Sequence, residues 1–242
     1  MAGIFRLVLA AALLIGLSAQ VIASMRVDPM IISLAPTGGQ SSATVQITNV
    51  TDIVLPVEIT VMRRELHDGR EVMVPADEDF VMFPPLFTLQ PGEVQTVRLQ
   101  WVGEQRLDRS QSYYVYATQI PVPLQEGQSG VVVNYRFGIS VHIEPSGISP
   151  SLEVVKIQPG ENDAGVKGFT LTVHNAGTRY ARLSEYSLDL DGGTGTTQFS
   201  REQVKAAGGV GFMLPDENRD FFIPFDGPVG ENSTGRLQLR AP

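Results

Sequence analysis

The sequence predicts an all-β protein made of two antiparallel β-sandwiches in series, and three observations carry the prediction. Runs of alternating apolar and polar residues recur about every ten residues, turn residues separate them, and no stretch after residue 23 repeats with helical periodicity. A Pro/Gly/Ser cluster, Glu144-Pro145-Ser146-Gly147-Ile148-Ser149-Pro150-Ser151, divides the series in two. One run is longer than the rest. From Val131 to Ile143 every odd position is apolar, namely Val131, Val133, Tyr135, Phe137, Ile139, Val141 and Ile143. In a strand this spacing sets one apolar ridge along a single face, and 13 residues span roughly 43 Å at about 3.3 Å each. A small domain cannot bury a ridge of that length, so part of it is expected to serve something other than the chain's own core.

Residues 1–23 are read as a signal peptide. Arg6 precedes an almost wholly apolar Leu7–Leu17, and Val21-Ile22-Ala23 offers short residues for cleavage after Ala23. The run is shorter than the ~20 residues a membrane span needs, and no comparable run follows, so no membrane insertion is expected after cleavage. Cleavage removes Arg6 and no acid, taking the formal charge from −8 to −9. So acidic a chain lacks the basic face that nucleic acid demands. The 242 residues include no cysteine, which fits an exported protein stable without disulfides and a location in the periplasm.

The first domain is expected over 24–145. Its strands are Ala43–Thr48, Val54–Met62, Glu71–Val74, Val94–Trp101 and Ser112–Ile120, ahead of the long run. Asp68-Gly69 marks a hairpin, Pro84-Pro85 ends a segment by removing backbone donors, and Pro91-Gly92 marks a turn. Trp101 falls on the apolar side of its strand and reads as core. The second, smaller domain is expected over 146–242, with strands Leu152–Ile157, Phe169–His174, Ala181–Leu190, Gly211–Leu214, Asp220–Pro224 and Arg236–Leu239. Strand, Asn and turn follow one another in both halves, at Thr48-Asn49 and at His174-Asn175.

Chemistry is sparse. No nucleophile elbow, metalloprotease helix or phosphate loop occurs, so the chain reads as a non-enzyme that needs no cofactor and no metal. The glycine-rich Lys205–Gly211 reads as a loop. His67 belongs to a hairpin turn, and His174 to a turn that it caps or leaves to solvent. His142 and Glu144 share a strand face, read as a solvated or cross-strand polar pair rather than as metal ligands. Two bases interrupt strand patterns, Arg136 in the long run and Arg98 in Thr96-Val97-Arg98-Leu99. Each is either a cross-strand partner for a carboxylate or a cationic anchor for a carboxylate brought by a partner.

An ordered series of stretches then resembles the periplasmic chaperones of the chaperone–usher pilus pathway. It comprises Ala43–Asn49, Phe83-Pro84-Pro85, Leu89–Glu93, Thr96–Leu99, Tyr113–Pro121, the run Val131–Ile143 ending at Pro145, Val173-His174-Asn175 and Met213-Leu214-Pro215. The series runs across nearly the whole chain after residue 23. Asn134–Ser140 is more similar to the divergent branch that serves archaic, spore-coat-U-like pili. The resemblance implies two immunoglobulin-like domains in an L or boomerang shape, which bind pilus subunits by donating a strand and deliver them to an outer-membrane usher. It assigns Val131, Val133, Tyr135 and Phe137 to the donated ridge, and leaves Ile139, Val141 and Ile143 to the domain's own core. Better-known members grip the subunit's C-terminal carboxylate with an Arg in the first strand and a Lys late in the long strand. Here Val27–Leu34 holds no base and the late part of the long run holds Ser140 and His142, so the anchor passes to Arg136, with Arg26 and Arg98 behind it. The resemblance also implies a final strand pairing that is expected to be missing or reduced here, since the second domain stops soon after Leu239. A dimer that caps the ridge is a further expected partner. The alternative function is a structural or adhesive sandwich that self-associates through its long edge strand.

Overall fold

The computed structural model describes residues 24–121, 134–193, 195–230 and 232–239. Ten strands form the first domain. They are β1 (Met25–Asp28), β2 (Ile31–Leu34), β3 (Ser42–Asn49), β4 (Leu55–His67), β5 (Arg70–Pro75), β6 (Phe80–Phe83), β7 (Leu86–Leu89), β8 (Val94–Trp101), β9 (Gln111–Gln119) and β10 (Arg136–Ile143). They make two sheets, ordered β1-β3-β8-β6 and β2-β10-β9-β4-β5, with β7 also paired to β4. The first apolar segment serves both sheets: it breaks at Pro29, β1 runs antiparallel to β3, and β2 runs parallel to β10.

Alternation explains the core between the sheets. Taken at every second residue, Val45 and Ile47, Val57 to Val61, Val97 to Trp101, Tyr113 to Ala117 and Ile139 to Ile143 all point inward and are buried. Each large aliphatic side chain so buried stabilises the fold by about 1.5–3 kcal/mol relative to exposure. Phe80, Trp101 and Tyr113 close one end, with ring centroids 5.1–5.6 Å apart and edge-on. The Tyr113 hydroxyl donates to Asp79 and lies beside Gln111 Oε1, and burial with that acidic neighbour pushes its pKa up.

A second core covers Leu152–Leu237. Its elements are β11 (Leu152–Glu161), β12 (Lys167–Asn175), β13 (Ala181–Arg182), β14 (Tyr186–Asp191), β15 (Thr196–Phe199), α1 (Arg201–Gly208), β16 (Phe212–Met213), β17 (Asn218–Pro224) and β18 (Thr234–Leu239). The sheets are β11-β12-β17, β13-β16 and β15-β14-β18. β18, the strand expected at Arg236–Leu239, pairs with β14 from Leu239↔Tyr186 to Thr234↔Asp191.

Two expectations need correction here. The supposed loop at Lys205–Gly211 begins inside helix α1, which Ser200 and Gln203 start with a reciprocal capping box and which Gly209, at φ 65°, ends. The strand expected over Ala181–Leu190 is broken by a 3₁₀ turn at Leu183–Glu185, because the amides of Leu183 and Ser184 turn to the carbonyls of Gly211 and Val210.

The recurring strand-Asn-turn pattern is one device used twice. Asn49 and Asn175 are both 0% exposed. Asn49 Nδ2 donates to the carbonyls of Ile53 and Leu89, and its Oδ1 accepts from the amide and hydroxyl of Thr51. Asn175 Nδ2 donates to the carbonyls of Arg179 and Leu214, and its Oδ1 accepts from the amides of Gly177 and Ser151. The opposing turns correspond too. Gly92 N and Asp216 N donate to the carbonyls of Asn49 and Asn175, and both residues have positive φ, 76° and 65°. Glu93 and Glu217 carboxylates then accept from the amides of Gln90 and Leu214, each at 2.7 Å.

Candidate functional site

The outer face of the sheet holding β10 is built row by row from the strand register. Arg136 lies opposite Thr118, which lies opposite Glu58, with Leu86 beyond. The next rows are Gly138, Tyr116 and Thr60, then Ile31, Ser140, Tyr114 and Met62. Tyr114, Tyr116 and Met62 are half-buried and Ile31 is exposed, so this face offers apolar and aromatic area with Arg136 at its upper end. The Arg136 guanidinium stacks over the Tyr116 ring at 3.5 Å from its centroid, and the Tyr114 and Tyr116 rings are 5.7 Å apart. Arg136 is exposed and has no ion pair among the described residues.

The same face ends below at the second domain. His142 is 0% exposed and stacks on Tyr180 with ring centroids 3.6 Å apart at 12°, with Phe212 at 5.3 Å. Its Nδ1 is 2.8 Å from the Ser112 hydroxyl, and its Nε2 has no hydrogen-bond partner among the described residues. Burial first, then the charges of Arg64, Arg182 and Arg179, lowers its pKa to about 3, so the ring is neutral. Glu144 pairs with Arg179, Arg109 pairs with Asp216, and the amides of Ser110 and Tyr180 bond across the joint to Thr178 O and Ser110 Oγ. His142 keeps the cross-strand polar partner expected of it, in Ser112 opposite, while Glu144 pairs with Arg179; what differs from the solvated alternative is that His142 is buried in a joint between the domains. His174 lies half-buried within β12, and Asn175 holds the turn that follows.

The sequence-assigned residues separate as follows. Val131 and Val133 lie outside the described residues. Strand β10 begins at Arg136; Tyr135 precedes it and accepts from the Gln119 amide through its carbonyl. Phe137, assigned to the donated ridge, is half-buried against the first domain's own core, because it shares the inward face of Ile139, Val141 and Ile143. Arg26 and Arg98 stand exposed on the other sheet, opposite Thr48 and Thr44, and the Arg98 guanidinium reaches Gln100 Oε1 at 3.4 Å. The three anchor candidates are thus not brought together, and neither Arg98 nor Arg136 has a cross-strand carboxylate among the described residues. Two residues that sequence reading missed are Tyr116 and Arg64. Arg64 is buried, lies 5.1 Å from the Tyr114 ring centroid and grips Glu71 through Nε and Nη2, both at 2.8 Å. That pairing lowers the Glu71 pKa.

Comparison with known proteins gives a consistent family and fold. The family model of the pili and flagellar-assembly chaperones, N-terminal domain, matches residues 27–149. No curated protein sequence matches the chain. Among solved structures, a class 5 fimbriae chaperone is 16% identical, with TM-score 0.53, over 90% of this chain and 99% of that one. A Salmonella enterica chaperone in complex with a pilin is 15% identical, with TM-score 0.54, over 91% and 99%. The chaperone–tip adhesion subunit pre-assembly complex from archaic chaperone–usher Csu pili of Acinetobacter baumannii is 15% identical, with TM-score 0.52, over 82% and 90%. At these identities the likeness shows the fold, two immunoglobulin-like sandwiches.

Proposed function

Because this chain belongs to the family of pili and flagellar-assembly chaperones, we propose that it binds pilus subunits in the periplasm and holds them for delivery to an outer-membrane usher. In this reading the stretch leading into β10 adds a strand to a subunit, with main-chain bonds supplying affinity and alternate side chains filling the subunit's groove. The observation that carries it is the outer sheet face beside Arg136, where Tyr116, Tyr114 and Met62 are half-buried and Ile31 is exposed. Methionine and aromatic side chains give such a face adaptable apolar contact. Solved relatives in complex with a pilin and with a tip adhesion subunit support the same class of partner. Since Phe137 packs against the core, the donated ridge is assigned to Val131, Val133 and Tyr135, with Arg136 as carboxylate anchor.

The test is accumulation of a co-expressed subunit from the same gene neighbourhood. Val131→Glu with Val133→Glu should abolish accumulation while leaving the melting temperature of the purified chain unchanged. Undiminished accumulation contradicts the reading.

A further inference from the structure

We propose that Tyr116 and Gly138 form a seat that holds the Arg136 guanidinium in position, with its hydrogen-bonding edge turned out for a partner's carboxylate. The inference rests on the reading of Arg136 as the subunit anchor, and makes Tyr116 its positioning residue.

A guanidinium stacked by its face on an aromatic ring keeps its N–H edges in the open, and those edges match a carboxylate bidentately. Arg136 has this geometry: its carbon centre is 3.5 Å from the Tyr116 centroid, it is exposed, and no carboxylate pairs with it among the described residues. Glu58, the acid in its row, lies two strands away, about 10 Å by the usual strand spacing.

The ring is itself held in place. A Cβ on residue 138 would stand 3.1 Å from Tyr116 Cε1 and 3.5 Å from Tyr114 Cδ1. Gly138 has no positive φ, so the missing side chain serves space rather than backbone conformation. Tyr116 thus lies against β10 with Tyr114 beside it, and Arg136 lies on Tyr116.

The same sheet contains the arrangement with its carboxylate filled. Arg64 sits 5.1 Å from the Tyr114 centroid and its fork is occupied by Glu71. Arg136 on Tyr116 mirrors that arginine-on-tyrosine pair, Tyr116 standing one row above Tyr114 and Arg136 three rows above Arg64, with the carboxylate left to a partner. Arg98 has Phe83 opposite it in β6 but no ring stacked under its guanidinium among the described residues, and serves as the internal control.

The experiment follows arginine Nε–H signals of the full chain after residue 23 by NMR. The added probes are N-acetylglycine, a chain-end carboxylate, the N-methylamide of N-acetylaspartate, a side-chain carboxylate, and N-methylacetamide as the neutral control. The Arg136 signal should be ring-shifted upfield. It should respond to at least one carboxylate at a concentration about two- to fivefold lower than Arg98 does, the range expected of an exposed cation–π contact; the more effective probe identifies the source. Tyr116→Phe should keep that advantage, and Tyr116→Leu should erase it. Gly138→Ala, which displaces the ring without removing it, should reduce it as well and stands in should Tyr116→Leu not fold. An advantage that survives Tyr116→Leu and Gly138→Ala overturns the seat and leaves the anchor reading intact. Equal response of Arg136 and Arg98 in the unaltered chain overturns the seat, and no response of Arg136 to either carboxylate overturns the anchor reading with it. A response to N-methylacetamide equal to that to the carboxylates also overturns the proposal.

Discussion

Replacing His142 with Gln should flatten the pH dependence of stability in the acid range, and the expected size follows from the joint between the domains. An exposed histidine has a pKa near 6.5, whereas His142 in the folded chain is lowered to about 3 by burial and by three arginines. Between those values the unfolded chain carries a proton that the folded chain refuses. Stability from this group is therefore fully present above about pH 6.5 and is lost as pH falls toward 3, at about 1.4 kcal/mol per pH unit. His142 is 0% exposed, so solvent screening does not reduce the effect. Urea unfolding at pH 7.5 and pH 5.0 should show the unaltered chain losing about 2 kcal/mol more than His142→Gln over that step. Glu217 acts in the opposite sense, since burial raises its pKa and its protonation as pH falls favours the folded state. The difference between the two proteins cancels that contribution. Parallel curves for the two would refute the buried, neutral His142.

Asn49→Ala and Asn175→Ala should each destabilise by about 2–4 kcal/mol in urea unfolding, because each leaves two or more buried carbonyls or amides without a partner; the similar loss in both domains tests the repeated corner. Ser200→Ala should cost about 1 kcal/mol through loss of the capping box, read by the same assay and rescued by Asp. Ile139→Ala should cost about 2–5 kcal/mol by leaving a cavity between the sheets, whereas Arg98→Ala should leave stability within about 0.5 kcal/mol.

Much of this architecture was legible because alternation in a half-buried strand has one physical cause. Strand β8 begins and ends where the pattern from Val94 to Trp101 does, and Ile139, Val141 and Ile143 fill the core that their period assigned to them. Period alone cannot tell which body covers a ridge: Phe137, expected in the donated part, lies half-buried against the domain's own core. Helix α1 was missed because eight residues with one buried side chain, Val204, leave no apolar stripe to detect; Ser200 and Gln203 were the available signal. His142 looked solvated because Tyr180 and Phe212, which cover it, come from the other domain. The seat under Arg136 depends on register, which sets Gly138 opposite Tyr116. A glycine inside a strand was the visible hint.

The proposed strand donation is tested most directly by hydrogen exchange of the chain alone and with a bound pilus subunit. Backbone amides of residues 131–137 should gain protection on binding, with β11 to β18 unchanged. A stable complex in which 131–137 exchanges as fast as in the free chain would contradict it.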